Sequence, residues 1–301
     1  MRDKTLRFRL LLILLVLVGL ILACNAPSST SVRQTIIAQT LTAQPPTQAP
    51  VQATQSVATA VAPNSTATIQ STQTSTETPA SEVIIYYADK EGSYDIFSAD
   101  YNTGVVQNLT NDPSTDYLPS CSPDGEQIAF VSDRTGNEEI YLMSSNGEDF
   151  EQITESGTLY KGMSIWISDT TLLYWDASPG ATGWKTVDIN THTITSVSDD
   201  FAQPYSSIAI PAPDSSAELT EKFNDDESFD LLITMQGVET NLTNSPGVDD
   251  FMPIWSPDSS KILFASDRDG DFDLYIMDKG GTILEQFTEN TWRDFPSCWL
   301  P

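Results

Sequence analysis

Acidic residues followed directly by an aromatic residue recur at three places in the chain and are the residues best suited to chemistry. The pairs are Asp116-Tyr117, Asp250-Phe251 and Asp294-Phe295, with Trp292 just before the last of them. Carboxylates beside aromatic surface suit the binding of a peptide or a basic side chain. Ring packing and hydration of the acids would give the same pattern without any ligand. We expect these residues to form a binding rim.

A second acidic run resembles a calcium loop. Asp267, Asp269, Asp271 and Asp273 alternate with other residues around Gly270. An EF-hand loop has its glycine at position six and a glutamate at position twelve. Here the glycine is at position four and no glutamate stands at twelve. The run therefore predicts a hairpin turn and no metal site, with these aspartates as the one alternative.

Signals of catalysis are sparse. The chain has one histidine, His192, in a predicted exposed turn, and it has no Gly-x-Ser-x-Gly elbow, no phosphate loop and no metal-spaced His or Cys cluster. We therefore predict a non-enzymatic protein without a cofactor. A hydrolase acting on polysaccharide or peptide through the rim carboxylates stays as the alternative.

The charge is concentrated in the second part of the chain. Residues 1–82 hold five of the 14 basic and three of the 42 acidic residues, which leaves 9 basic and 39 acidic residues in 83–301. Such a segment repels nucleic acid and anionic lipid, so neither is an expected partner. The charge favours a basic peptide, a basic protein or loosely held divalent ions, although it is also typical of a protein that needs solubility outside the cell.

The region 83–301 contains a repeat of about 45 residues. The segments 123–134 and 257–268 nearly superimpose, and Asp124, Asp169, Asp214 and Asp258 follow one another at intervals of 45, 45 and 44 residues. Alternating apolar residues and glycine-containing turns predict short strands joined by hairpins. This period, with four strands in each unit, is typical of propeller blades.

The motif in these units is similar to a known repeat. The segment 253–258, with sequence PIWSPD, is followed by ASDRDG at 265–270 and LYIM at 274–277. Together they resemble the WD40-like (PD40) repeat of TolB-type β-propellers. The resemblance covers 83–301, and it is degenerate in the third and fourth units. It implies an all-β propeller and a monomer.

The two ends of this region complement each other. Residues 83–110 predict the last three strands of a blade, at 83–88, 95–100 and 105–109, with no first strand before them. Trp299 and Pro301 lie 44 residues after Trp255 and Pro257, so the C-terminal segment predicts the missing first strand. We expect five four-stranded blades closed by the C-terminal strand; six, the common number in TolB-type propellers, stays open.

Cys121 and Cys298 lie on first strands of neighbouring predicted blades. A disulfide between them is one alternative, and an exported compartment would permit it. The other alternative is a pair of buried thiols that act as small apolar side chains.

The N-terminus has the features of an export signal. Four basic residues precede an apolar run over 10–23, which is too short for a permanent membrane-spanning helix. The tetrad 21–24, ILAC, resembles a bacterial lipobox, although Leu22 is bulkier than usual. The resemblance implies a signal peptide over 1–23 and lipidation of Cys24, which fixes the protein to the cell membrane or the outer membrane.

Residues 24–82 predict a disordered stalk. After Cys24 the segment has no aromatic residue and is rich in Thr, Gln, Ala, Ser and Pro, so it cannot bury enough apolar surface to fold. Its flexible reach is about 40 Å. The sequence therefore predicts an exported, lipid-anchored propeller over 83–301 that binds an extracellular protein, peptide or glycan.

Overall fold

The structure is a computed structural model that describes residues 82–90, 92–155, 161–178, 180, 182–202 and 209–300. The predicted signal peptide, Cys24 and all but the last residue of the predicted stalk lie outside the described residues. Among the described residues, no helix has the length and apolar character needed to cross a membrane.

The described part of the chain is built almost entirely of β-strands. In chain order the strands are β1 (Val83–Lys90), β2 (Ser93–Asp100), β3 (Val106–Asn108), β4 (Asp116–Cys121), β5 (Gln127–Ser132), β6 (Glu139–Ser144), β7 (Glu151–Gln152), β8 (Lys161–Ser168), β9 (Thr171–Asp176), β10 (Gly183–Asp188), β11 (Thr193–Ser196), β12 (Ile210–Pro211), β13 (Ala217–Phe223), β14 (Phe229–Met235), β15 (Val238–Asn241), β16 (Asp250–Trp255), β17 (Lys261–Ser266), β18 (Asp273–Asp278), β19 (Ile283–Gln286) and β20 (Asp294–Leu300). A single helical turn, α1 (Asp199–Ala202), follows β11.

These strands form five antiparallel four-stranded sheets, which are the blades of a β-propeller. Blade 1 has the order β20-β1-β2-β3, and blades 2 to 5 are β4–β7, β8–β11, β12–β15 and β16–β19. The first strands β16, β20, β4 and β8 contact one another in succession, which places them innermost. The predicted fold class and the count of five blades are therefore confirmed, and a sixth blade is not present among the described residues.

Blade 1 joins the two ends of the described chain. Strand β20 pairs antiparallel with β1, with Val83 opposite Leu300 and Tyr87 opposite Phe295. The pairing supplies hydrogen-bond partners along an edge of β1 that would otherwise be open. The predicted closure by the C-terminal strand is confirmed.

Apolar side chains of the middle strands pack between neighbouring blades. Successive side chains of a strand point to opposite faces of its sheet. In β5, Ile128 and Phe130 therefore pack toward blade 1, whereas Ala129 packs toward blade 3. Because both faces are covered, these strands are buried as continuous apolar runs rather than as alternating ones.

A polar network recurs at the outer edge of four blades. An acid near the start of the third strand accepts a hydrogen bond from the hydroxyl of a threonine just after the fourth strand, and that hydroxyl also accepts the backbone N–H of the residue after the acid. The pairs are Asp95–Thr110, Glu139–Thr154, Asp230–Thr243 and Asp273–Thr288. This network gives a structural role to the threonine that ends each of these repeats.

Substitution of Phe295 tests the packing at the junction of blades 5 and 1. Its ring is 1% exposed and its centroid lies 5.2 Å from that of Tyr87 and 6.0 Å from that of Phe251. We expect Phe295→Ala to lower the free energy of unfolding by about 3–5 kcal/mol, because a buried ring is removed from a packed cluster. The measurement is urea denaturation of the full-length chain followed by circular dichroism.

The matched control is Phe201→Ala on α1, because the Phe201 side chain is 43% exposed. We expect it to cost less than about 1 kcal/mol. Equal losses for the two variants would contradict the packing described for this junction.

Candidate functional site

One face of the propeller carries the connections that lead into the innermost strands. The turns between second and third strands lie on the same face, because Thr115 N donates to Asp133 Oδ1 at 2.8 Å and Asp249 N donates to Asp267 Oδ1 at 2.8 Å. We call this the upper face; it consists of the connections 109–115, 244–249 and 287–293 and the turns 133–138, 224–228 and 267–272. All seven predicted rim residues lie on it or directly beneath it.

Two of the predicted rim acids are neutralised from within their own blades. Asp116 and Asp250 each begin an innermost strand and are fully buried. Arg134 Nη2 donates to Asp116 Oδ1 at 3.0 Å, and Arg268 Nη2 donates to Asp250 Oδ1 at 2.8 Å. Burial raises the pKa of Asp116, although hydrogen bonds from Ser132 and Arg134 oppose the rise. Both carboxylates therefore work as anchors of the turn that carries the arginine.

The aromatic residues of the rim fill the junctions between blades. Phe251 and Phe295 are buried, and both contact Phe272, at centroid distances of 5.0 and 5.6 Å. Tyr117 packs at 6.3 Å from Tyr94, and the partly buried Trp292 packs on Phe97. These aromatic residues therefore pack as an apolar core at the upper end of the ring.

Five of the seven predicted rim residues are therefore buried, and binding at the rim stays a prediction. Asp116, Asp250, Phe251, Asp294 and Phe295 are at most 4% exposed. Only Tyr117 and Trp292 keep part of their surface accessible. The sequence shows that acids and aromatics stand together, but not that the arginine two residues after the paired strand folds back on the acid.

Asp294 differs from the other two acids. Its blade has Lys90 where blades 2 and 5 have Arg134 and Arg268, and the ammonium of Lys90 lies over the Trp292 ring, 5.4 Å from its centroid. Asp294 Oδ2 accepts a hydrogen bond from Asn290 at 2.6 Å, while Oδ1 is buried without a hydrogen-bond partner. Burial raises the pKa of Asp294 to about 6, and the charge of Asp271 adds to the rise.

Blade 3 reverses the polarity of this arrangement, which the sequence did not predict. Lys161 begins its innermost strand and is fully buried, and its Nζ lies 3.2 Å from Asp176 Oδ1 on the second strand. Lys185 Nζ lies 2.6 Å from Asp176 Oδ2. Burial alone would raise the pKa of Asp176, but hydrogen bonds from Lys185 and Ser178 and the charge of Lys161 lower it to about 2. The repeat motif is degenerate in this blade, so the replacement of the first-strand acid by Lys161, paired with Asp176, was not predicted from the sequence.

The aspartates of the predicted turn divide into two groups. Asp267 accepts the backbone N–H of Asp249 and so holds the turn against the neighbouring connection. Asp269, Asp271 and Asp273 come together, with one carboxylate oxygen of each within 4.8 Å of the others. The predicted hairpin turn is present, and three of the four carboxylates converge in it.

A polar pocket opens on the upper face of blade 4. Its volume is about 310 Å³. It is lined by Lys222, Asn224, Asp225, Asp226, Asp230, Asn241, Asn244 and Pro246. Asn241 Nδ2 donates to Asp230 Oδ2 at 2.7 Å and Asp226 Oδ2 accepts the N–H of Gly247 at 2.9 Å, so two of the three carboxylates are held in place. The signal in the sequence was the acidic run 225–227, in which no acid is followed directly by an aromatic residue.

The two cysteines replace a recurrent tryptophan contact between innermost strands. Trp166 Nε1 donates to the carbonyl of Ser120 in the preceding blade at 3.0 Å, and Trp255 Nε1 donates to that of Ile210 at 3.0 Å. Cys121 stands at the tryptophan position of blade 2. Its sulfur is bonded in the structure to that of Cys298 in blade 1, and the two Cα atoms lie 6.2 Å apart.

Comparison with known proteins identifies the family of this chain. The family model described as "TolB beta propeller domain" matches residues 46–219, more than half of the chain. The chain belongs to the TolB β-propeller family. A TolB homolog of Chlorobium luteolum is 30% identical over 159 residues, which is 52% of this chain and 35% of that protein. A TolB homolog of Chlorobium chlorochromatii is 29% identical over 184 residues, which is 60% of this chain and 39% of that protein.

A solved member of the family is also similar. The crystal structure of TolB from Acinetobacter baumannii is 20% identical and matches with a TM-score of 0.41, covering 68% of this chain and 53% of that one. In the two sequence matches above, this chain spans well under half the length of the curated relatives from Chlorobium.

The disulfide can be tested by thiol titration. We expect the full-length protein, denatured without reductant, to show no titratable thiol from Cys121 or Cys298, and both thiols after reduction. Reduction should also lower the free energy of unfolding by up to about 5 kcal/mol, because the bond closes a loop of 177 residues in the unfolded chain.

The control is the double variant Cys121→Ser/Cys298→Ser, whose unfolding should not respond to reductant. Two thiols in the denatured, unreduced wild-type protein would show that the bond is not formed.

Proposed function

We propose that this protein is a lipid-anchored, extracytoplasmic propeller that binds a protein or peptide through its upper face and does not catalyse a reaction. The single observation that carries the proposal is the carboxylate-lined pocket of blade 4. The partner chemistry it fits is a basic side chain presented on a peptide or protein surface. Membership in the TolB β-propeller family supports a scaffold outside the cytoplasm.

The charges of the upper face support a basic partner. Arg134, Arg268 and Arg293 are each engaged by an aspartate of the same face, through Asp116, Asp250 and Asp89. Exposed acids remain there: Asp133, Asp225, Asp226, Glu227, Asp269 and Glu289. Lys90 and Lys222 are also exposed there, but the six acids outnumber them. A net negative face of this kind steers a cationic partner toward it.

Acids on the opposite face have a different role. Asp124, Asp214, Asp258 and Asp278 accept hydrogen bonds from backbone N–H groups of their own hairpin turns. Those hydrogen bonds are among the causes that lower the pKa of each of these four carboxyls. Much of the acidity of that face is therefore explained by turn structure, and this favours the upper face as the binding surface.

The proposal includes a lipid anchor at the N-terminal side of the propeller. The lipobox-like tetrad at 21–24 and the polar segment up to residue 82 would attach the propeller, over 83–301, to a membrane through Cys24 and a long tether. Both segments rest on the sequence. Intact-mass measurement of the protein made in a bacterial host tests this part, since it predicts a chain that begins at Cys24 and carries acyl chains.

The hydrolase alternative receives less support. The rim carboxylates on which it depended, Asp116, Asp250 and Asp294, are fully buried. His192 lies in the turn between β10 and β11, where its Nε2 is 3.1 Å from Glu151 Oε1. None of these groups is arranged around an accessible substrate position.

Site-specific photocrosslinking tests the binding surface. In cells of the producing organism, we expect a crosslinker at Glu289, an exposed residue of the upper face, to give a discrete product with another protein. The double charge reversal Asp225→Lys/Glu227→Lys on blade 4 should weaken that product at least about tenfold, because it replaces attraction of a cationic partner by repulsion.

The matched control is Glu148→Lys/Asp149→Lys on an exposed turn of the opposite face. It should leave the product unchanged. Crosslinks of equal strength from Asp149, or a product insensitive to the upper-face reversal, would contradict the proposal. Reproducible turnover by the purified full-length protein in a panel of glycans and peptides would instead support the hydrolase.

A further inference from the structure

The junction of blades 5 and 1 brings three carboxylates together and places a fourth acidic residue beside them. Asp269, Asp271 and Asp273 converge in the turn before β18. The backbone N–H of Asp294 donates to the carbonyl of Phe272 at 2.7 Å, which places Asp294 directly against this turn. The fourth carboxylate therefore comes from the next blade of the ring.

The hydrogen bonds around the cluster leave buried oxygen atoms without partners. Gln286 Nε2 donates to Asp269 Oδ2 at 2.6 Å and to Asp273 Oδ2 at 3.1 Å. Asp271 Oδ2 and Asp294 Oδ1 are buried and have no hydrogen-bond partner. An ionised carboxylate oxygen in that position is costly unless a proton or a cation compensates it.

The hydroxyl of Thr288 borders both the turn and Asp294. It donates to Asp273 Oδ1 at 3.1 Å and also lies beside the Asp294 carboxylate. The Asp294 carboxylate is therefore on the side of the cluster.

The equivalent junctions of other blades contain their own cation. At the junction of blades 2 and 3 the position of Asp294 is taken by the buried Lys161. In blades 2 and 5, an arginine of the same blade pairs with the first residue of the innermost strand. Among the described residues, no lysine or arginine forms an ion pair with any of the four carboxylates at the junction of blades 5 and 1.

We propose that this junction binds a divalent cation of the calcium type through Asp269, Asp271, Asp273 and Asp294. Calcium takes six to eight oxygen ligands at about 2.3–2.6 Å, so two ligand oxygens on one ion lie at most about 5 Å apart. The spacing of the first three carboxylates, within 4.8 Å, meets this condition. Asp269 is exposed and Asp271 is partly exposed, so an ion can enter from solvent. The site joins the last blade to the first. It shares Asp269 and the turn 267–272 with the upper face, but calcium binding is measured on the purified protein without any partner.

Calcium titration of the full-length, chelator-treated protein tests the site. Calorimetry should show one saturable site with a dissociation constant of about 10⁻⁴ to 10⁻³ M, as in extracellular calcium modules. Saturation should raise Tm by several degrees, because the ion binds the folded state only. Asp271→Asn and Asp294→Asn should each weaken binding at least about tenfold by removing a charged ligand.

Asp149→Asn is the matched control, since it removes an exposed carboxylate from a turn of the opposite face. It should leave calcium affinity unchanged. If Asp294→Asn does not fold, the partly exposed Asp271 still decides the question. Absence of a saturable site at about 10 mM calcium, or wild-type affinity in Asp271→Asn, would overturn the proposal.

Discussion

The antiparallel pairing of β1 with β20 is the constraint on which the ring depends. Each of the other blades is made from four consecutive strands, so its hairpins form from nearby residues. Blade 1 requires residues separated by the whole propeller, Val83 and Leu300 among them, to pair. Loop closure over that length costs entropy before the contacts form. The interactions around β20, including the packing of Phe295 and the bond between Cys298 and Cys121, act at this one place.

Neighbouring blades are joined by contacts at equivalent positions, and the residues that make them differ from blade to blade. A tryptophan links innermost strands in blades 3 and 5, and a disulfide stands at the same position in blade 2. The innermost strands of blades 2 and 5 begin with a buried acid paired with an arginine, and that of blade 3 begins with a buried lysine. The innermost strand of blade 1 begins with Asp294, which has no basic partner among the described residues. In three of these blades the buried charge is compensated from within the fold. Blade 1 is where an external cation fits.

The architecture was predictable because propeller blades are local and repetitive. The spacing of Asp124, Asp169, Asp214 and Asp258 indicated four units, and the equivalence of Trp299 and Trp255 indicated a fifth blade closed by the C-terminal strand. The alternative of six blades was decided only by the structure. The burial of the acid–aromatic pairs could not be predicted from the sequence, since burial depends on how neighbouring blades cover a residue. The recurrence of Ser-Asp-Arg in the blades of two of these acids was the signal available in the sequence. The approach of Asp294 to the turn of blade 5 depends on ring closure, and no local pattern contains it.

Hydrogen exchange of the full-length chain, read by mass spectrometry, tests closure of the ring most directly. If pairing with β20 holds the ring together, amides of β1 and β20 exchange only with global unfolding, together with those of β17 in the middle of blade 5. Rapid exchange of β1 and β20 while β17 stays protected would show that the ends are not paired in solution. That result would contradict both the closed ring and the cation site at its seam.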